Sequence, residues 1–295
     1  MPSSQSAPSR PDHEKISLIV ATLGRREELT RLLTSLTRQS LPPHEVIIVD
    51  QNPEGWLETT VAPFRPHLPL LVLRSAKGAS RARNVGLTVA TGAVLGFPDD
   101  DCWLAPALLR AVADGFNAPG APDALCLPLA DENDRPIMLR WPVRVIPVTR
   151  GNVWQTCLMA GFYARRSTMS NVGGFDEQLG VGASSNLSSG EETDLALRLL
   201  AAGHHLEFHP LKGLHHPPRP PVSALAGRAE SYGRGFGYVW TRHKLPIWGF
   251  YYYCLRAFGG LLLARLTRDT GAVRYYTASL TGRRAGRAAA LKTPA

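Results

Sequence analysis

Residues 16–50 read ISLIVATLGRREELTRLLTSLTRQSLPPHEVIIVD, and this stretch decides the fold. Its two ends, residues 16–21 and 45–50, are almost continuous apolar runs, which are typical of parallel strands covered on both faces. The residues between them, 27–39, place leucines at helical spacing. A strand, a helix and a strand this close together form a right-handed βαβ unit, so the stretch predicts a parallel sheet.

Further apolar runs extend this pattern along the chain. Residues 70–74 and 92–97 each predict another strand, and residues 191–202 predict a helix that Gly203 ends. The expected fold class is therefore α/β, with a mostly parallel central sheet flanked by helices. Residues 217–221 form a proline-rich linker, after which the sequence predicts a basic tail made of helices.

The composition excludes several protein classes. The 295 residues are 44% hydrophobic and 19% charged, unlike disordered chains and coiled coils. The net charge of +9 is concentrated in residues 219–295, which hold 13 Lys and Arg against two Asp and Glu. A uniformly basic nucleic-acid binder is thereby excluded. No base-reading motif accompanies the basic tail, so no nucleic-acid partner is expected.

The N-terminus and the cysteines indicate the compartment. Residues 1–13 are rich in Ser and Pro and lack the apolar segment of a secretion signal, so a disordered tail is expected there. The four cysteines form no CxxC pair, which favours reduced thiols and a cytoplasmic protein. No run of about 18 uncharged apolar residues occurs, so no membrane-spanning helix is expected.

Three consecutive aspartates, Asp99, Asp100 and Asp101, follow a predicted strand and form the sharpest motif of the sequence. Adjacent carboxylates repel one another unless a cation lies between them, and divalent ions prefer oxygen ligands. Alternate residues of an extended segment point the same way, so Asp99 and Asp101 are expected to converge on a metal ion. The alternative is a solvated acidic turn with a helix cap at Asp101.

A second acidic motif, GEETDLALR, occupies residues 190–198. A loop rich in Gly and Ser delivers Glu191, Glu192 and Asp194 to the first turn of the predicted helix. A carboxylate presented in this way could act as a general base. The alternative is that these residues only stabilise the positive end of the helix dipole.

Arginines and histidines supply further candidates. The motif ASRARNVG, residues 79–86, places two arginines at a helix start near the edge of the sheet, where a diphosphate could bind. A solvated helix face is the alternative. Five histidines lie between residues 204 and 216, and either His215 or His216 could complete the metal site. We assign His215.

Six motifs together form an ordered set that resembles the family 2 glycosyltransferases. They are ISLIVATLGR (16–25), VIIVDQN (46–52), ASRARNVGL (79–87), VLGFPDDD (94–101), GGFDE (173–177) and GEETDLALRLLAAG (190–203). The resemblance covers residues 16 to about 216 and implies the Rossmann-like GT-A fold. It also implies an enzyme that moves a sugar from a nucleotide-sugar donor to an acceptor hydroxyl group, with inversion, using Mg²⁺ or Mn²⁺.

The resemblance implies roles for single residues on the donor side. The donor site would comprise Thr22, Arg25, Asp50, Arg83, Asp99 and Asp100. The metal ion would be held by Asp99 and Asp101, with His215 as the assigned third ligand. The ion would then stabilise the charge of the departing nucleoside diphosphate.

On the acceptor side, the resemblance makes Glu192 the general base, with Glu191 as the neighbour able to replace it. Asp194 and Trp154 are assigned to the acceptor side. The chain departs from the family pattern at Leu23 and Gly24, where an aromatic residue and Asn are frequent. It departs again after the second strand, where Gln replaces a second Asp.

The predicted domains are a disordered tail (1–13), a glycosyltransferase domain (14–218) and a C-terminal segment (219–295). Residues 245–266 are rich in aromatics and leucine with interleaved arginines, which suits a membrane interface. Each basic side chain near an anionic leaflet contributes about 1 kcal/mol. We therefore expect a protein that is peripheral on the inner face of the plasma membrane. The alternative is a helical cap packed on the domain.

We expect the acceptor to be a saccharide or lipid-linked saccharide used in cell-surface polysaccharide synthesis. Two rival functions remain open. A nucleotidyltransferase also combines an α/β sheet with aspartates and a metal, but it needs no glutamate pair. A nucleotide-sugar-binding protein with a decayed site would bind the donor without turnover.

Overall fold

The computed structural model describes residues 15–292, so the predicted disordered tail at 1–13 lies outside the described residues. Within them, ten strands form one eight-stranded and one two-stranded sheet. The strands are β1 (Ile16–Thr22), β2 (Glu45–Asp50), β3 (Leu70–Arg74), β4 (Val94–Gly96), β5 (Trp103–Leu104), β6 (Ala124–Cys126), β7 (Ile146–Pro147), β8 (Phe162–Arg165), β9 (Leu206–Phe208) and β10 (Leu214–His215).

Helices cover both faces of the large sheet and make up the C-terminal segment. They are α1 (Glu27–Leu36), α2 (Glu58–Val61), α3 (Ala79–Leu87), α4 (Leu108–Asn117), α5 (Val153–Thr156), α6 (Arg166–Asn171), α7 (Glu191–Ala201), α8 (Ala229–Arg242), α9 (Ile247–Leu266) and α10 (Thr270–Lys292). Short 3₁₀ helices cover Ala62–Phe64, Met159–Gly161 and Val222–Arg228.

The predicted βαβ unit opens the fold. β1 and β2 pair in parallel with Thr22 opposite Asp50, and α1 connects them. Both faces of β1 are covered, so its residues alternate between two core layers. Ile19 packs with Ile47 in one layer, and Leu18 lies in the other. The expected α/β class with a mostly parallel sheet is confirmed.

The strand order across the large sheet positions the site. It runs β3-β2-β1-β4-β8-β6-β9-β7, and the first four strands are mutually parallel. β8 is antiparallel to β4 and β6, its neighbours on either side. Strands β1, β2 and β4 therefore end at one edge of the sheet. The polar residues that follow these strands come together there.

The C-terminal segment folds into three long helices, of which α8 and α10 are packed closely against each other. Gly282 and Gly286 of α10 face the backbone carbonyls of Glu230 and Arg234 in α8, and a Cβ at either glycine would overlap those carbonyls. Glycines of α8 meet the backbone of α10 in the same way. The two backbones can approach this closely because glycine has no side chain.

Within residues 15–292, no helix combines the length and the apolar character that crossing a membrane requires. The domain boundary at 218 stays a prediction. The last strand of the two sheets ends at His215, and the first of the three C-terminal helices begins at Ala229.

We expect Gly286→Ala to lower the free energy of unfolding by about 1–3 kcal/mol, because the added methyl group would force α8 and α10 apart. Gly259→Ala in α9 is the matched control, since no atom lies within 4 Å of its added Cβ. There the free energy of unfolding should rise by about 0.5–1 kcal/mol. Urea unfolding followed by circular dichroism measures both. Equal effects of the two substitutions would contradict the packing argument.

Candidate active site

A buried arginine joins two acidic segments that are far apart in the chain. Arg83 lies in α3, and its guanidinium donates to Asp99 Oδ1 at 3.1 Å and to Glu191 Oε1 at 3.3 Å. Only 7% of its side chain is exposed. Glu191 is buried as well, so removing it would leave the buried guanidinium short of a balancing charge, which is strongly destabilising. The contact fixes the end of β4 beside the start of α7.

α3 also holds the turn that contains GGFDE. Asn84 donates from Nδ2 to the carbonyl of Phe175 at 2.9 Å, and the Phe175 N–H donates back to Asn84 Oδ1 at 2.8 Å. Ser80 Oγ donates to the carbonyl of Leu179 at 2.6 Å. Most residues of the ASRARN motif therefore have a structural role, whereas Arg83 contacts the acidic side chains of Asp99 and Glu191.

The three aspartates separate as their alternation predicts. Asp99 and Asp101 face His216, whereas Asp100 accepts a hydrogen bond from Arg25 Nη1 at 2.7 Å. Arg25 also pairs with Asp101. Burial raises the pKa of Asp100 to about 6 despite the charge of Arg25. Burial acts in the same direction on Asp101, but His216 and Arg25 outweigh it and lower the pKa of that carboxyl.

The histidine at the aspartates is His216, which corrects the assignment of His215. β10 pairs with β5 so that His215 lies opposite Trp103, and the two rings stack with centroids 5.4 Å apart. The Nδ1 atom of His215 lies 2.9 Å from the carbonyl of Asp131. Successive residues of an extended segment point to opposite sides. His216 therefore turns the other way, and its Nε2 lies 3.2 Å from Asp101 Oδ1.

The donor atoms of this cluster fit a divalent metal ion. Asp99, Asp101 and His216 offer two carboxylate oxygens and one imidazole nitrogen within 4.8 Å of one another. Asp101 Oδ1 is buried and lies 3.2 Å from His216 Nε2, a pairing of oxygen and nitrogen donors that suits a metal ion. Mg²⁺ and Mn²⁺ both accept carboxylate oxygens, and Mn²⁺ also accepts imidazole. The residues fit the expected ion without choosing between the two metals.

The two glutamates at the start of α7 have different surroundings. Glu191 is buried and pairs with Arg83. Burial, together with the negative charge of Glu191, raises the pKa of Glu192 to about 8. A carboxyl group whose pKa lies near the working pH is suited to general base catalysis.

The end of β2 forms a polar network with the loop after β1. Thr22 and Asp50 lie side by side, and Asp50 Oδ1 accepts from the backbone N–H and Nδ2 of Asn52 at 2.8 and 2.7 Å. Arg74 pairs with Asp50 Oδ2 at 3.3 Å. Asn52 Oδ1 in turn accepts from the Gly24 N–H at 2.6 Å. Asp50 thus braces the loops around the expected nucleoside position. Asn52 belongs to the VIIVDQN motif but had no assigned role, and no motif indicated Arg74.

Two departures from the family pattern have structural counterparts. Gly24 has a φ of +74°, a conformation that Gly and Asn adopt more readily than other residues. Gln51 accepts a hydrogen bond at Oε1 from the Gly78 N–H at 2.8 Å, which fastens the residue before α3. Leu23, the third departure, is exposed.

Comparison with known proteins agrees with this geometry. Residues 17–157 match the family model Glycosyl transferase family 2. This chain carries a family 2 glycosyltransferase domain. The match begins in β1 and ends just after α5, so the carboxyl edge and the three aspartates lie inside it. The expected family is confirmed for residues 17–157.

Curated relatives of this family 2 chain are glycosyltransferases by name. The pre-mycofactocin glycosyltransferase of Mycobacterium tuberculosis is 29% identical over 95% of this chain and 59% of the relative. Glycosyltransferase AglE of Haloferax volcanii is 24% identical over 79% of this chain and 76% of the relative. The chain therefore spans about three fifths of the length of the mycobacterial relative.

A solved structure shows the same fold. S. aureus TarS 1-349, in complex with UDP-GlcNAc, superposes with a TM-score of 0.60 and 17% identity over 92% of each chain. At this level of identity the likeness concerns the fold alone. The expected GT-A fold is confirmed.

In this family 2 chain, α8 lies against the loop that carries the glutamates. The Ser188 N–H donates to the carbonyl of Ser231 at 3.2 Å, and Ser189 Oγ donates to the carbonyl of Tyr232 at 2.8 Å. Burial raises the pKa of the Tyr232 phenol, and the negative charges of both glutamates add to the shift. Tyr232 is therefore a neighbour of the glutamate pair, although no motif indicated it.

Asp194, assigned to the acceptor side, is held in a network one turn beyond the glutamates. It accepts from Arg198 Nε at 2.8 Å, and its other oxygen lies 2.7 Å from His243 Nε2. A cavity of about 440 Å³ adjoins this network between residues 173–176 and the end of α8. The acceptor-side role of Asp194 stays a prediction.

Trp154, also assigned to the acceptor side, belongs to an aromatic cluster. Its ring centroid lies 4.7 Å from that of Phe236 and 6.2 Å from that of Trp240, both in α8. These contacts pack α5 against the C-terminal helices. A role of Trp154 toward the acceptor stays a prediction.

We expect His216→Ala to weaken Mn²⁺ binding by at least about tenfold, because even changes outside the ligand shell of a metal cost about 10–100-fold. His215→Ala is the matched control, since His215 lies outside the cluster. Its Mn²⁺ affinity should equal that of the wild type. Electron paramagnetic resonance of free Mn²⁺ measures the affinity, and thermal unfolding checks the fold. Loss of affinity in His215→Ala alone would restore the original assignment.

Proposed function

We propose that the chain is a metal-dependent, inverting glycosyltransferase. It moves a sugar from a nucleotide-sugar donor to a hydroxyl group of a lipid-linked saccharide, in cell-surface polysaccharide synthesis. The observation that carries the proposal is the bridge through Arg83 between Asp99 and Glu191. Through this bridge, one side chain connects a candidate diphosphate-binding edge with Glu191, the neighbour of the candidate general base Glu192.

The donor is bound at the carboxyl edge of the sheet. TarS is a relative by fold that binds UDP-GlcNAc, and a nucleoside diphosphate suits the cations at this edge. Arg25 and Arg83 stabilise the negative charge of the departing diphosphate. When bound to Asp99, Asp101 and His216, Mg²⁺ or Mn²⁺ supplies further positive charge for the same purpose.

Glu192 is the general base of the proposed reaction. It accepts the proton of the acceptor hydroxyl group as that oxygen attacks the anomeric carbon opposite the diphosphate, which inverts the configuration. Glu191 pairs with Arg83, and the negative charge of Glu191 increases the proton affinity of Glu192. Glu191 is thus a positioning and tuning residue, and Glu192 transfers the proton.

The outer face of α9 supports work at a membrane surface. Its exposed apolar side chains recur every three or four residues along the helix: Ile247, Trp248, Tyr251, Tyr252, Leu255, Phe258, Leu262, Leu263 and Leu266. Trp248 and Leu266, near its two ends, are 74% and 82% exposed. With the basic charge of residues 219–295, this face suits an anionic bilayer. The protein is accordingly peripheral on the cytoplasmic side of the plasma membrane.

With Mn²⁺ and a panel of UDP-, GDP- and dTDP-sugars, we expect slow release of the nucleoside diphosphate, with water replacing the acceptor. The rate should rise with pH through about 8, because Glu192 must lose its proton before it can accept another. Glu191→Gln should move this rise to lower pH, since the charge that raises the pKa of Glu192 is gone. Glu192→Gln should bind the donor and lose at least about 100-fold in rate.

The products of the same assay separate the rival functions. Release of nucleoside monophosphate and sugar 1-phosphate, which follows attack on the phosphorus next to the nucleoside, would favour a nucleotidyltransferase, and donor binding without any release would favour a decayed site. A Glu191→Gln variant with an unchanged pH profile would contradict the coupling between the two glutamates.

For the membrane surface, we expect the wild type to sediment with vesicles that contain anionic lipid and to remain in solution with neutral ones. The double substitution Leu255→Asp and Leu263→Asp should abolish binding, because it places charge on the apolar face. Val143→Asp is the matched control, since Val143 is 92% exposed and lies outside α9. A wild type that stays in solution with both vesicle types would exclude the membrane role.

A further inference from the structure

Arginines of the protein already pair with the acidic edge. Arg83 pairs with Asp99, and Arg25 pairs with Asp100 and Asp101. A divalent ion entering this cluster adds two positive charges at short range. Because like charges repel strongly where water is scarce, the ion competes with the arginines for the carboxylates, whereas His216 can bind it as a neutral imidazole.

The surroundings of the two arginines indicate which one moves. Arg83 is 7% exposed, pairs with two carboxylates and lies 5.8 Å from the ring centroid of Phe175. The side chain of Arg25 is 39% exposed. Arg25 therefore has access to solvent that Arg83 lacks, and its side chain can change partner while the Gly24 N–H stays bonded to Asn52.

Arg25 also competes directly for a metal ligand. Its Nη1 contacts Asp101 Oδ2, while Asp101 Oδ1 faces His216. Asp101 is a member of the candidate metal cluster, and Asp100, the other partner of Arg25, is not. Loss of the contact with Asp101 would make a carboxylate oxygen of Asp101 available to the metal ion. It would also leave the guanidinium of Arg25 free, within hydrogen-bond distance of the cluster.

We propose that Arg25 exchanges partners during donor binding. It neutralises Asp101 in the metal-free protein, and it moves to the donor's diphosphate when the metal ion takes the carboxylate. A guanidinium suits both partners, because carboxylate and phosphate oxygens accept its paired N–H groups in the same geometry. The inference rests on the proposed function and assigns the charge exchange at its donor site to one residue.

The exchange predicts effects of opposite sign on two affinities. Arg25→Met should raise the affinity for Mn²⁺ alone by about threefold or more, because a competing cation is gone. The same variant should lower the affinity for UDP at saturating Mn²⁺ by about tenfold or more, since a charge-assisted hydrogen bond to the diphosphate is lost. Arg25→Lys keeps the charge and should recover part of the UDP affinity.

Arg26→Met is the matched control, because it removes a positive charge from the same loop. Arg26 donates to the carbonyl of Trp56 at 2.7 Å and stacks on its ring, away from the aspartates. Both of its affinities should equal those of the wild type. Titration calorimetry with Mn²⁺, and with UDP in Mn²⁺ buffer, measures all four proteins, and circular dichroism checks their folds.

Three outcomes would overturn the inference. If Arg25→Met leaves the affinities for Mn²⁺ and UDP unchanged, the exchange is excluded while the proposed function stands. The same holds if the variant moves both affinities in the same direction. A wild-type protein that binds neither Mn²⁺ nor UDP would overturn the proposed function and the exchange together.

Discussion

The buried ion pairs of Arg83 are the constraint on which the site depends. A guanidinium removed from water needs its charge balanced, and here the two balancing carboxylates come from the end of β4 and the start of α7. About 90 residues of chain separate these two carboxylates. A single buried guanidinium therefore holds the end of β4 and the start of α7 together.

Around the guanidinium of Arg83, the acidic side chains differ in pKa because their surroundings differ, although all of them are carboxyl groups. Burial raises the pKa of Asp100 to about 6, and burial with a like charge raises that of Glu192 to about 8. Asp101 moves in the opposite direction, because His216 and Arg25 outweigh burial. The edge of the sheet therefore holds in Asp101 a carboxyl group of lowered pKa, and α7 presents in Glu192 a carboxyl group of high proton affinity. This separation of pKa values is how one fold can bind an ion and move a proton in adjacent places.

The C-terminal helices belong to the site as well as to the candidate membrane surface. α8 is fastened to the loop before α7 by hydrogen bonds from Ser188 and Ser189. Its other side is packed on α10 through glycines that admit no side chain. α9, between them in the chain, turns an apolar face outward. A segment that composition marks only as basic and aromatic thus reaches from the glutamate pair to the exposed surface.

The sequence by itself determined the βαβ opening, the aspartates at 99–101 and the glutamate pair, because each depends on residues close together in the chain. Apolar periodicity and adjacency are local properties. Only the tertiary structure decided which histidine joins the aspartates, since the choice between His215 and His216 follows from the register of β10 on β5. It alone decided that Arg83 joins β4 to α7, and that Tyr232 of α8 lies near the glutamates. These contacts join residues that are distant in sequence. They depend on burial and charge balance, which no local sequence pattern records.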